Sequence, residues 1–170
     1  MEKKRTNTEK LVITAILIAL EVILTRFVAI NTPMLRIGFG FLPMVIVAAY
    51  YGPIWGAGAY TLADILGSLL FPTGAYFPGF TISACLTGLI YGFCLYRRKI
   101  TWKNSLLAVC VVLLGINLLL NTFWLTIILG KGYMALLPAR VIKEAICIPI
   151  DTALILVVSK ATERILRPAV

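Results

Sequence analysis

The sequence predicts an all-α membrane protein, a compact bundle of six transmembrane helices with both the N- and C-termini in the cytoplasm. Of its 170 residues, 61% are hydrophobic and only 14% are charged, and the mean hydropathy is +0.98. Soluble domains have about 45–50% apolar and about 25% charged residues. About 20 apolar residues span a bilayer, so the chain has room for roughly five to seven spans.

The breaks between the apolar runs predict the helix boundaries. We expect a single domain over residues 1–170, with helices at approximately 9–30, 42–51, 54–71, 79–96, 105–129 and 139–166.

Each boundary follows from a local signal. The first helix follows a polar, basic tail, and a loop or re-entrant segment over 26–42 separates it from the second. Gly52-Pro53 predicts a tight turn before the third helix, because proline cannot continue a hydrogen-bonded helix. The fourth helix lies between the proline-rich 71–78 turn and the basic 97–103 loop, and a turn over 130–138 precedes the sixth.

The orientation follows from the basic residues. With the N-terminus inside, the internal segments are the N-terminal tail, residues 97–103 and the C-terminal end, and all three are basic. Cytoplasmic segments of membrane proteins carry an excess of lysine and arginine. The loops at 26–42, 71–78 and 130–138 are then external.

The prediction of a ligand-binding site starts from an aromatic turn that follows an intramembrane acid. Asp64 lies within an apolar helix, and the turn after it contains Tyr76 and Phe77. Aromatic rings near membrane surfaces are often interfacial anchors. The nearby acid favours a ligand pocket instead, because a charge at the centre of a spanning helix costs about 2.5–3.5 kcal/mol and is usually functional.

Further charged groups occur along the predicted helices. Arg140, Glu144, Cys147 and Asp151 are spaced to lie on one helix face, and Arg140 with Glu144 could form a local ion pair. We expect Glu21 and Asp151 to be paired inside the bundle.

The predicted outer half contains more basic than acidic side chains. An anionic ligand from outside would explain this surplus, since arginine suits carboxylates and phosphates. Aromatic side chains suit a flat ring system, and Asp64 with Asn121 could hydrogen-bond ring nitrogens. The ligand suggested by these residues has a heteroaromatic head and a carboxylate tail.

No catalytic motif is visible. The chain has no histidine, no Walker-type phosphate loop and no G-x-S-x-G elbow. An intramembrane enzyme acting on an anionic lipid or isoprenoid stays open as an alternative, as does an assembly subunit without a ligand.

Two segments resemble a known family. The stretches TPMLRIGFGFLP (32–43) and FPTGAYFPGFT (71–81) look like those of substrate-binding S components of energy-coupling factor (ECF) vitamin transporters, most of all the folate-specific members. The resemblance implies capture of folate from outside the cell. It also implies docking on a transmembrane T subunit and two cytoplasmic ATPases in the cell membrane, with ATP used by those partners and no cofactor bound by this chain.

The resemblance also implies roles for particular residues. Ala15 and Ala19 match the small-residue motif for contacting the T subunit, although their spacing equally allows packing inside the bundle. The expected substrate-binding residues are Arg26 and Arg36 near the ligand, Asp64 and Asn121 at the pterin edge, Tyr76, Phe77 and Trp124 for stacking or lidding, and Arg140 and Lys143 at the carboxylates. An S component for another vitamin, such as riboflavin, thiamine or pantothenate, is the alternative within the family.

Overall fold

The structure is a computed structural model that describes residues 7–31, 36–72, 76–130 and 132–166. For residues 30, 31, 36, 37 and 163–166 it describes the backbone alone. The described residues form six helices and one short pair of strands. The helices are α1 (Asn7–Val28), α2 (Phe41–Tyr51), α3 (Pro53–Leu70), α4 (Pro78–Leu95), α5 (Trp102–Leu129) and α6 (Tyr133–Leu166).

The sixth helix differs most from the sequence prediction. It begins at Tyr133 and not near residue 139, and Pro138 lies within it. Proline is expected to end a turn before a helix, because it lacks the N–H that bonds the carbonyl four residues earlier. A prolyl residue is nevertheless tolerated in membrane helices, where neighbouring groups satisfy the released carbonyl.

The predicted loop at 26–42 has secondary structure of its own. α1 ends in a wider π-type segment, Leu24–Val28, and two short strands follow. β1 (Ile30–Asn31) pairs antiparallel with β2 (Arg36–Ile37). The strand pair is a small addition to the all-helical fold.

Short α2 lies at the centre of the core. Met44, Val47 and Ala48 have no exposed surface, and a helix that is apolar on every side is expected to be buried. The turn that joins α2 to α3 is built as its sequence predicts. Gly52 has a φ of 101°, which favours glycine, and Pro53 starts α3.

Three of the described helices are long and apolar enough to cross a membrane, namely α1, α4 and α5. The other three differ in length or composition. α2 has only 11 residues, while α3 contains Asp64 and α6 contains several charged side chains. The sequence prediction of six spans therefore exceeds what length and composition support in the described helices.

Candidate functional site

A small polar cavity lies among α1, α3 and α4. Its volume is about 70 Å³, which is room for a few water molecules. The lining combines two carboxylates with one guanidinium and comprises Glu21, Thr25, Arg26, Tyr60, Ala63, Asp64, Gly67 and Ala84. Two residues expected at the site from the sequence, Arg26 and Asp64, therefore share one cavity.

A chain of hydroxyl groups holds Asp64 in the cavity wall. The Thr81 hydroxyl on α4 donates to Asp64 Oδ2 at 2.8 Å, and it lies 2.8 Å from the hydroxyl oxygen of Tyr76. A threonine hydroxyl has one hydrogen to donate, so Thr81 accepts its second bond from Tyr76. The chain of bonds connects the aromatic turn to the carboxylate.

Glu21 and Arg26 form the α1 side of the cavity. The Thr25 hydroxyl lies within hydrogen-bond distance of two Glu21 acceptors, the backbone carbonyl oxygen at 2.6 Å and the carboxylate Oε1 at 2.7 Å. Arg26 extends over α3 at Gly67, where an added Cβ would lie 3.2 Å from Arg26 Nη2. Because Gly67 has no side chain, the Arg26 guanidinium can reach the cavity.

Tyr60 closes the cavity toward the core. Its hydroxyl donates to the Phe41 carbonyl oxygen at 3.2 Å. Its ring stacks on that of Tyr91, with centroids 6.3 Å apart and planes 14° from parallel.

The aromatic residues of the turn form a cluster with the C-terminal end of α5. The ring centroids of Phe77 and Trp124 are 5.5 Å apart, and those of Phe123 and Trp124 are 5.2 Å apart. The Trp124 indole donates to Ser83 Oγ at 3.1 Å. Tyr76 and Phe123 are about half exposed, as a membrane-interface belt requires, whereas the Trp124 N–H is bonded inside the bundle.

A second polar group lies between α5 and α6. The Arg140 side chain is 7% exposed, and its Nη1 donates to Thr122 Oγ1 at 3.1 Å. Nearby on α5, Asn121 Nδ2 donates to Asn117 Oδ1 at 2.9 Å. The α5–α6 cluster, which we define as Asn117, Asn121, Thr122, Arg140, Lys143 and Glu144, thus contains three further residues predicted at the site.

The ion pair in the α5–α6 cluster differs from the one considered from the sequence. Lys143 Nζ, and not Arg140, lies 3.0 Å from Glu144 Oε1. Arg140 is directed across to α5, so the adjacent lysine pairs with the acid. Glu144 is fully buried, and among the described residues Glu144 Oε2, Asn121 Oδ1 and Arg140 Nε have no hydrogen-bond partner.

The predicted polar face of α6 is turned inward. Arg140, Glu144 and Cys147 are buried, and Asp151 is half buried. The opposite side of the helix exposes apolar residues such as Val141 and Ile142. The four-, three- and four-residue spacing therefore identified the face correctly.

α4 forms side-chain hydrogen bonds to both α3 and α5. Thr81 bonds Asp64 on α3, and Ser83 bonds Trp124 on α5. Among the described residues that line the cavity, Glu21, Asp64 and Arg26 give a net formal charge of −1. The cluster has a net formal charge of +1 from Arg140, Lys143 and Glu144. This arrangement suits a ligand with hydrogen-bond donors at one end and negative charge at the other.

Some predicted residues are not tested by this geometry, and others were missed. The side chain of Arg36 lies outside the described residues. Sequence reasoning missed the hydroxyl residues Thr25, Thr81, Ser83 and Thr122, because isolated Ser and Thr are common in membrane helices and carry no distinguishing pattern. Glu21 was recognised as an intramembrane charge, but no pattern linked it to Asp64.

The exposure of the α1 surface distinguishes between partner contact and internal packing for the Ala15/Ala19 pair. Ala15 and Ala19 are both exposed, and so are their neighbours Ile16 and Leu20, at 62% and 42%. A pair that faces away from the bundle does not pack within it. The small-residue surface is therefore open to a neighbour.

Fold and site together define a small helical membrane protein with polar side chains enclosed between its helices. The chain belongs to the family of substrate-specific components of ECF transporters, which it matches over residues 9–159. This finding confirms the resemblance seen in the two sequence segments.

Several relatives are named folate transporter FolT. The protein from Clostridium novyi (strain NT) is 42% identical over 151 residues, covering 89% of this chain and 88% of that protein. The protein from Leuconostoc mesenteroides is 32% identical over 154 residues, covering 87% and 83%. A crystal structure of FolT bound with folic acid matches with a TM-score of 0.84 and 36% identity, covering 88% of this chain and 92% of that chain.

Proposed function

We propose that this chain captures folate from outside the cell with high affinity, as the S component of an ATP-driven ECF importer. The structural similarity to FolT bound with folic acid, at 36% identity over 88% of the chain, carries this proposal. The opposite charges of the cavity and the α5–α6 cluster support it, because folate has a donor-rich pterin at one end and carboxylates at the other.

The two charged regions suggest how the ligand is oriented. The pterin edge lies toward Asp64 and Arg26 in the negative cavity, and the glutamate carboxylates lie toward Arg140 and Lys143 in the positive cluster. Arginine binds carboxylates in a two-pronged geometry.

The residues between the two ends have supporting roles. Phe77 and Trp124 contact the rings, and Tyr76 closes over them from the mouth. Asn121 and Arg36 complete the polar contacts. The cavity has room for only a few water molecules, so it has to widen to admit a ring system.

Transport depends on partners. The chain docks on a transmembrane T subunit through the exposed surface around Ala15 and Ala19, because small residues allow close approach of a second helix in lipid. Two cytoplasmic ATPases hydrolyse ATP, so this chain needs no cofactor and is not itself an enzyme.

The proposed topology places the whole chain in the cell membrane as one domain. Six helices cross or enter the bilayer, and both termini are cytoplasmic. The basic residues of the 97–103 segment support this orientation under the positive-inside bias. The cavity and the aromatic turn then open to the outside.

Calorimetric titration of the detergent-purified chain with folic acid tests the proposal. We expect saturable one-to-one binding that Asp64→Ala and Arg140→Ala each weaken by about tenfold or more, as the loss of a charge-assisted hydrogen bond predicts. Lys160→Ala, on the exposed surface of α6, is the matched control and leaves the affinity unchanged.

Riboflavin, pantothenate and thiamine titrations identify the ligand within the family. Tight binding of one of these, without binding of folic acid, would replace the substrate and keep the S-component function. Failure of a monodisperse, thermally stable sample to bind any of them would contradict a vitamin-binding role.

A further inference from the structure

We propose that Thr122 is a positioning residue, which holds the Arg140 guanidinium for one carboxylate of the ligand, and that Glu144 keeps a second carboxylate away from Lys143. The inference rests on the proposed function and narrows its carboxylate contact to Arg140. The observation behind it is a buried arginine whose hydrogen bond within the described chain goes to a neutral hydroxyl, while the adjacent lysine pairs with the acid.

Thr122 fixes the orientation of the Arg140 guanidinium. The threonine has no exposed surface, and its hydroxyl accepts a hydrogen bond from Arg140 Nη1 at 3.1 Å. A guanidinium is planar and its N–H donors keep fixed directions, so this bond restrains the plane of the whole group. Because the hydroxyl is neutral, the contact orients Arg140 without cancelling its positive charge.

The edge of the guanidinium away from Thr122 is suited to a carboxylate. This edge consists of the Nε and Nη2 donors, which are parallel and match the two oxygens of a carboxylate. Nε is buried and has no hydrogen-bond partner among the described residues, and the whole side chain is only 7% exposed. Buried polar groups in proteins normally have a partner, so we expect the ligand to supply the missing acceptor.

Glu144 limits the α5–α6 cluster to one carboxylate. It is fully buried, and its Oε1 lies 3.0 Å from Lys143 Nζ. The charges of this pair cancel, which leaves Arg140 as the source of net positive charge in the cluster. A second carboxylate at Lys143 would also approach Glu144 Oε2, which has no partner among the described residues. Like charges placed together in this way are strongly unfavourable.

Amides of folic acid show how many carboxylates the unmodified chain binds. Folic acid ends in two carboxylates, and amidation of one or both removes the charge with little change in size. We expect one monoamide to bind about as tightly as folic acid. The other monoamide and the diamide should bind about tenfold or more weakly, as the loss of a charge-assisted hydrogen bond predicts. Calorimetric titration of the detergent-purified chain measures all four affinities.

The Thr122→Val variant tests the positioning role, because it keeps the shape of the side chain and removes the hydroxyl. It should bind folic acid about three- to tenfold more weakly and bind the diamide as before, and Thr122→Ser should restore the affinity. Thr126→Val is the matched control. It makes the same change one turn later on α5, where the hydroxyl bonds the Phe123 carbonyl oxygen of its own helix, and it should leave every affinity unchanged.

The Glu144→Gln variant tests the exclusion of a second carboxylate. It removes the competing charge at nearly constant size and releases the Lys143 ammonium from its ion pair. Both monoamides should then bind this variant more weakly than folic acid does. An unchanged preference between the two monoamides would overturn the role of Glu144.

The outcomes separate the inference from the function on which it rests. Equal weakening of folic acid and the diamide in Thr122→Val would reduce Thr122 to a structural role. Equal affinities of the two monoamides for the unmodified chain would overturn the single-carboxylate site, and this comparison needs no variant. Folate capture stands in both cases. A stable, unmodified chain that binds no folic acid would overturn the proposed function and this inference together.

Discussion

Helices α3 and α4 pack through small residues, whereas α5 and α6 face one another through buried polar side chains. A Cβ added at Gly88 of α4 would lie 2.5 Å from the Gly56 carbonyl oxygen of α3, so the two backbones are in direct contact. Between α5 and α6, Arg140 bonds Thr122, and three polar atoms of the α5–α6 cluster have no hydrogen-bond partner among the described residues.

The difference has a physical basis in the membrane. Lipid tails are as apolar as leucine, so helices associate there through close packing and polar contacts. Close packing of two backbones allows one relative arrangement of the helices, so the pair is rigid. A polar cluster with unused donors and acceptors can exchange partners, and the ten-residue π-type segment of α5, Val111–Leu120, contributes Asn117 to it. We therefore expect α3–α4 to be the more rigid pair of helices and α5–α6 the more adaptable one.

The largest expected loss of stability comes from breaking the buried ion pair of the α5–α6 cluster. Replacing Lys143 by Met leaves Glu144 as an unpaired buried charge, and breaking such pairs costs about 3–5 kcal/mol. Unfolding of the detergent-purified variant without added ligand, followed by circular dichroism, measures the loss. Lys160→Met, an exposed change on the same helix, is the control. Equal stability of the two variants would show that the pair contributes nothing.

A smaller effect is expected from Gly88→Ala in the rigid pair. The added methyl forces the α3 and α4 backbones apart, and overpacking costs about 1–3 kcal/mol. Gly58→Ala on α3 is the matched control, since nothing lies within 4 Å of its added Cβ. That control should be neutral or stabilising by up to about 1 kcal/mol. Similar melting temperatures for both variants would contradict the close α3–α4 contact.

The smallest effect concerns the bond between the two regions. Ser83→Ala removes the acceptor of the Trp124 indole and should cost about 0.5–1.5 kcal/mol. It should also shift the tryptophan emission spectrum. The control is Ser105→Ala, because the buried Ser105 hydroxyl has no partner among the described residues, and its removal should be neutral or stabilising. An unchanged emission spectrum in Ser83→Ala would indicate that Trp124 is held by ring packing alone.

Local patterns predicted the features that depend on neighbours in sequence. The Gly52-Pro53 pair predicted a tight turn, and the spacing on the last helix predicted that its polar residues share one face. Hydropathy predicted where apolar helices lie. Each of these inferences uses the periodicity or chemistry of residues within a few positions of one another.

Other features depended on how the helices are placed against one another. The sequence suggested Arg140 as the partner of Glu144, but the structure pairs the acid with Lys143, which also lies within one helical turn of it. The sequence also left open whether Ala15 and Ala19 face the bundle or away from it, because a spacing of four residues does not decide this. The hydropathy pattern did not predict that α2 is buried, because its apolar residues fit a short membrane span equally well.

By itself, the sequence determined the helical membrane class, the family resemblance, and the presence of acids and arginines in apolar segments. These properties are sums over local composition and short motifs. Only the tertiary structure decided that Glu21 and Asp64 share a cavity and that Thr81 and Ser83 hold Asp64 and Trp124. Those contacts depend on the relative rotation and translation of helices far apart in the chain, and no local periodicity specifies either.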